Sequence, residues 1–275
     1  MNQSSGMRAP NPDRSCVEAR GLALGLRRAW RLRLPRSALR LWHQTMTTLG
    51  LHLAASKTTF ALLEGGQMVA ANDGVHLVVI GQDAEIARAC LGVELANVGK
   101  SASETWQQLT STLRAHHFLG QAYGYPKCCV DAFCDAHVDA VLSGDQCGDN
   151  GLAIARAAAR TGTYHRWLAA LPGAFGVATK STLRHLPCSF DCDASIELAG
   201  KLLADLESLD KRRFGQLYVG QRSDLHVDAH GRISGSESAL GSSGDESLSG
   251  LAEDRTRSLW RGQTLPIVLP FAQRG

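Results

Sequence analysis

Three of the eight cysteines fall within seven consecutive residues: Cys128, Cys129 and Cys134 of "YGYPKCCVDAFC" (123–134). Two more, Cys188 and Cys192, lie in "RHLPCSFDCDAS" (184–195). Thiolates are nucleophiles and soft metal ligands, and both runs set a proline just ahead of cysteine. Proline suits the first turn of a helix, so each motif predicts cysteines at a helix start. There the unpaired N–H groups and the positive end of the dipole stabilise a thiolate. On a helix, Cys188 and Cys192 share one face because they are four apart, while Cys128 and Cys129 diverge by about 100°. Cys128, Cys129, Cys188 and Cys192 together form a four-thiolate candidate for holding a metal or cofactor.

An iron–sulfur cluster is the first expectation for this set, because adjacent cysteines reach a multinuclear body more readily than one tetrahedral ion. Zinc is the alternative; it usually takes C-x2–4-C pairs. Metal-free thiol chemistry comes next. The plain alternative is that cysteines are small buried hydrophobes, the reading given to Cys16, Cys90 and Cys147. His185, three residues before Cys188, is a candidate ligand or proton donor, and Tyr125 a candidate for contacting substrate or cluster. These two are the candidate catalytic residues. His137 lies three beyond Cys134 and is a weaker second pairing, whereas His116 and His117 read as a polar helix end. Asp131, Asp191 and Asp193 flank the cysteines, where early helical turns favour acids for dipole reasons alone.

"GYPKCCVDAF" followed by "HLPCSFDCDAS" resembles the domain-of-unknown-function family numbered 483, found in archaea and bacteria. There a Gly-Tyr-Pro-x-Cys-Cys stretch precedes a His-x-Pro-Cys-x-x-x-Cys-x-x-Ser stretch. The resemblance covers roughly residues 116–200 and singles out Gly124, Tyr125, Pro126, Cys128, Cys129, His185, Pro187, Cys188, Cys192 and Ser195. It implies a shared site and no particular reaction. Adjacent cysteines beside a cluster are also similar to the adjacent-cysteine type of epoxyqueuosine reductase, whose remaining motifs differ. That analogy brings a modified nucleoside among the substrates to be considered.

Charge is distributed unevenly. Residues 1–45 carry nine arginines against Asp13 and Glu18, and the remainder holds 20 basic and 24 acidic residues. A mildly acidic body offers no strong nucleic-acid signal outside the basic leader. The leader is read as disordered, with Met46 a plausible true start; a membrane- or nucleic-acid-touching segment and a transit peptide are the alternatives. No apolar run approaches the roughly 18–20 residues of a membrane span, and no secretory signal stands out. Clustered cysteines without such a signal point to a reducing compartment, the cytoplasm. Phosphate-loop, dinucleotide-fingerprint, nucleophile-elbow and H-E-x-x-H patterns are absent.

The elements that must position the cysteines follow from patterning. "TTFALLEGGQMVAANDGVHLVVIG" predicts three short strands, and "QDAEIARACLG" a helix ending at Gly92. Ser101 to Glu104 reads as a capping box opening a helix toward Gly120. Lys127 to about Gly144 continues as helix, another covers 151–170, and 174–180 reads as a strand. Ile196, Ala199, Leu202, Leu203, Leu206 and Leu209 mark an amphipathic helix. "QLYVG" and "LHVDAHGRIS" predict a hairpin around His230-Gly231, and "TLPIVLPF" an edge strand, since prolines bar a central position.

The resulting fold class is α+β (or α/β): a small N-terminal sheet, a helical middle carrying both cysteine motifs, and C-terminal strands. Its expected domains are a leader (1–45), a core (46–232), a Ser/Gly-rich linker (233–255) and a C-terminal strand or tail (256–275). The function expected is an iron–sulfur redox or sulfur-transfer enzyme acting on a small molecule or modified nucleoside. The alternative is a zinc-stapled, non-enzymatic binding protein.

Overall fold

The computed structural model describes residues 17–62, 68–98, 106–143, 185, 187–189, 191–209, 211, 225–227, 233–235 and 267–269. It is α+β, and the chain divides into an N-terminal unit (1–100 with 122–124) and a cysteine unit (101–121 with 125–275). No helix among the described residues is long and apolar enough to cross a membrane.

The N-terminal unit runs α1 (Val17–Ala23), β1 (Ala29–Pro35), α2 (Arg36–Thr48), β2 (His52–Leu62), β3 (Met68–Ala70), β4 (Val75–Gly81) and α3 (Ala84–Asn97). The sheet is antiparallel throughout, in the order β1-β4-β2-β3. β4, "VHLVVIG", is buried from His76 to Gly81, as a central strand covered on both faces must be. Its alternate residues Val78 and Ile80 join Trp30, Leu34, Trp42 and Met46 in one core cluster. The opposite face carries Arg31, which reaches Glu94 of α3 at 3.0 Å. The sheet therefore lies between α2 and α3. Asp83 caps α3 by accepting a hydrogen bond from the Ile86 N–H (2.7 Å).

This arrangement corrects the reading of residues 1–45 as a disordered leader. From Val17 onward that segment folds into α1, β1 and α2, and Trp30, Leu34 and Trp42 are core residues. The Arg–Leu alternation is a strand period: β1 pairs with β4 from Ala29↔Gly81 to Pro35↔Val75. A start at Met46 would remove α1, β1 and most of α2. α3 likewise runs past Gly92 to Asn97. Burial of Leu91 and Glu94 on that turn outweighs the roughly 1 kcal/mol that glycine costs a helix.

In the cysteine unit, α4 (Trp106–Ala122) precedes α5 (Lys127–Ser143), and α6 (Asp193–Leu209) comes later. Close packing of α4 on α5 needs Gly120, where a Cβ would stand 2.5 Å from Val130 Cγ2. α6 buries Leu198, Ala199, Leu202, Leu203 and Leu206, the stripe its periodicity predicts. Three short strands, β5 (Leu225–Val227), β6 (Ile233–Gly235) and β7 (Ile267–Leu269), form a second antiparallel sheet ordered β6-β5-β7. The hairpin expected around His230-Gly231 is the β5–β6 pair, and β7 lies at an edge. The capping box at 101–104, the helix at 151–170, the strand at 174–180, "QLYVG" and most of the Ser/Gly tract lie outside the described residues.

Candidate metal centre

"GYP" is a helix stop and a helix start fused into three residues. Gly124 takes a positive φ of +71°, and the Tyr125 N–H bonds back to the Gly120 carbonyl at 2.8 Å. This is the glycine-terminated end that α4 requires, and the left-handed residue strains any side chain. Pro126 then supplies the first carbonyl of α5, accepting from the Val130 N–H at 3.1 Å and the Cys129 N–H at 2.9 Å. Cys128 and Cys129 thus occupy the first turn, as the sequence predicts.

The second motif departs from that expectation. Cys188 and Ser189 lie in a bend, and Cys192 is the residue just before α6. The Cys192 carbonyl accepts from the Ile196 N–H at 2.9 Å, which makes Cys192 the N-cap. Cys188 and Cys192 do not share a helix face. They approach the same point because the bend folds Cys188 back, with its N–H donating to Cys129 Sγ at 3.3 Å.

One Sγ from each of Cys128, Cys129, Cys188 and Cys192 lies within 4.8 Å of all the others, a group able to hold a metal ion. The separations are 3.9 Å for Cys128–Cys129, 3.7 Å for Cys128–Cys192 and 3.6 Å for Cys129–Cys192. Cys129 and Cys192 are buried, Cys188 is half-buried and Cys128 is exposed.

Ser195, wholly buried, is the centre's organising polar side chain. Its Oγ lies 3.2 Å from Cys129 Sγ and 2.8 Å from His185 Nε2. A hydroxyl has a single hydrogen, so where Ser195 donates to sulfur, its contact with His185 requires a hydrogen on Nε2. His185 is itself buried and packs against the Tyr125 ring, centroids 5.1 Å apart. His185 therefore connects to sulfur through Ser195, and Tyr125 lies one step further out, packed on His185. The part played by Ser195 was missed by residue chemistry. The signal for it is the spacing Cys192-x-x-Ser195, which is that of an N-cap and the third helical residue.

The thiols differ in acidity. Burial pushes Cys129 upward against hydrogen bonds from Ser195 and the Cys188 N–H. Burial and the neighbouring sulfur of Cys192 push Cys188 up to about 11. Cys192 alone is lowered: burial opposes ionisation there, but the Ser195 hydroxyl, for whose one hydrogen Cys129 and Cys192 compete, and the Ser195 N–H outweigh it. Four thiolates this close repel one another, so a bound cation is what would let all four ionise.

The other candidates stand elsewhere. Cys134 is buried on α5 and outside the four-sulfur group, with its pKa raised by burial. His137 packs edge-on against His116, centroids 5.5 Å apart. Asp131 pairs with Lys127 at 2.6 Å and lies 3.8 Å from His117. Asp191 and Asp193 are exposed, and Cys90 belongs to the N-terminal core. Cys16 and Cys147 fall outside the described residues. No protein-family model, curated protein or solved structure matches the chain.

Proposed function

We propose that the chain is a thiolate metalloprotein whose four sulfurs hold a single tetrahedral ion, zinc foremost, joining the start of α5 to the cap of α6. The observation that carries this is the sulfur spacing. A tetrahedron with Zn–S of about 2.3 Å has S–S edges of about 3.8 Å. The separations among Cys128, Cys129 and Cys192 are 3.6, 3.7 and 3.9 Å, and Cys188 Sγ lies within 4.8 Å of each. The adjacent pair, expected to be an awkward bite, spans one such edge because the first turn of α5 turns both sulfurs toward Cys192. A cubane cluster gives each thiolate its own iron at a separate corner, which sets the sulfurs further apart than around one ion.

Ser195 and His185 would serve as the partners that orient ligands and offset thiolate charge, as hydrogen-bond donors around metal sites do. When bound, the ion would supply the positive charge that the clustered thiolates lack, and it would couple folding of this unit to metal supply. The role that follows is a metal-stapled binding or interaction module in a reducing compartment such as the cytoplasm. Kinship with the family numbered 483 belongs to this reading. Its support is that Tyr125, His185 and Ser195, three non-cysteine members of the shared motif, form a contact chain that ends on Cys129 Sγ.

An iron–sulfur enzyme acting on a small molecule or modified nucleoside is the second reading, favoured by the exposure of Cys128, which lets a substrate reach sulfur. Metal and acid-labile sulfide analysis of anaerobically purified protein separates the two. One zinc per chain without sulfide is the expected result; iron with stoichiometric sulfide would replace the first reading by the second.

A further inference from the structure

The centre has two unlike halves. Cys129 and Cys192 are buried and share Ser195, and Cys192 also accepts the Ser195 N–H. Cys128 is exposed and Cys188 half-buried, and among the described residues Ser195 supports neither. A hydrogen bond to a metal-bound thiolate withdraws charge from sulfur and blunts its nucleophilicity. Cys128, exposed and without a hydrogen bond from Ser195 among the described residues, is therefore the cysteine that soft electrophiles meet first.

We propose that Cys128 is a modification site: peroxide attacks it first, and the reaction ends in a Cys128–Cys188 disulfide with release of the ion. The proposal rests on the single-ion reading above. In the first step Cys128 sulfur takes one peroxide oxygen, the O–O bond breaks, and the departing hydroxide is protonated to water. In the second, the Cys188 thiolate attacks the sulfenic sulfur, S–S forms, S–O breaks, and a second hydroxide leaves as water. Two thiolates have then lost two electrons to one peroxide. Only Cys129 and Cys192 remain as ligands, too few to retain the ion.

Geometry selects Cys188 as the partner. Cys129 is adjacent in α5, and neighbouring Cα atoms about 3.8 Å apart are closer than the roughly 4.4–6.8 Å that disulfides span. Cys192 stands 3.7 Å away, but its sulfur is held by Ser195 and its backbone caps α6. Cys188 lies in a bend, outside the described helices, with its sulfur within 4.8 Å of Cys128 Sγ.

The test uses the full chain loaded with zinc. Iodoacetamide should label Cys128 at least about tenfold faster than Cys129 or Cys192. Hydrogen peroxide should release one zinc per disulfide formed, and peptide mapping should find Cys128 joined to Cys188, reversibly by dithiothreitol. Equal labelling rates, a Cys128–Cys192 or Cys129–Cys192 linkage, or zinc retained after Cys128 is oxidised would each overturn the proposal. A chain that takes up no zinc, or that carries iron with sulfide, would instead refute the single-ion reading beneath it.

Discussion

In the N-terminal unit, β4 lies among Trp30, Trp42 and Met46, and the described elements are held by apolar burial. At the starts of α5 and α6, four sulfurs gather beside a buried serine and a buried histidine. Apolar burial contributes roughly 25 cal/mol per Å² without any partner from outside the chain. Clustered thiolates repel until a cation joins them. On the proposed function, the N-terminal unit is stable by its own apolar burial, whereas the cysteine unit depends on the ion it would bind. Even the charge in the N-terminal unit is settled internally: Glu94, buried, takes Arg31 at 3.0 Å and the Tyr123 hydroxyl at 2.8 Å.

The largest expected effect breaks the first half. A chain beginning at Met46 lacks β1 and most of α2, hence Trp30, Leu34 and Trp42. The loss should exceed the whole stability of a typical domain, about 5–15 kcal/mol, and abolish the cooperative unfolding of this sheet. Circular dichroism and urea titration check it; an unchanged transition would return those residues to the status of a leader.

Removing the metal attacks the second half. Structural zinc contributes on the order of 10 kcal/mol to folding, so chelation or Cys129→Ser should strip amide protection from the starts of α5 and α6. Hydrogen exchange should find β4 still protected. Because burial holds Cys129 and Cys188 protonated near neutral pH, zinc uptake must expel protons. Apparent affinity should therefore rise with pH across neutrality, measurable by calorimetry in buffers of different ionisation heat.

Smaller effects sharpen the contrast. Ser195→Ala should weaken zinc affinity about 10- to 100-fold while the N-terminal sheet keeps its stability, read by competition with a chromophoric chelator. Tyr123→Phe should do the reverse, costing about 1 kcal/mol of sheet stability at unchanged metal content, because Glu94 loses one donor.

What the sequence disclosed follows the same division. α5 and α6 were legible because their apolar stripes and the Gly124-Tyr125-Pro126 stop-and-start are local signals. The convergence of four cysteines was legible from clustering and proline placement. Three things were not. β1 reads as a basic leader because the partner of Arg31 is Glu94, 63 residues away. Cys188 reads as helical because Pro-Cys imitates a helix start, whereas the cap Cys192 makes with Ser195 sets the start later. The bite of adjacent cysteines depends on where a third sulfur stands, and that is tertiary information.

X-ray absorption at the metal edge of the purified protein reads out whether four thiolates hold one ion. The expected result is a zinc edge with about four sulfur neighbours at about 2.3 Å and no metal–metal scattering. An iron edge with iron–iron scattering and bridging sulfide would contradict it.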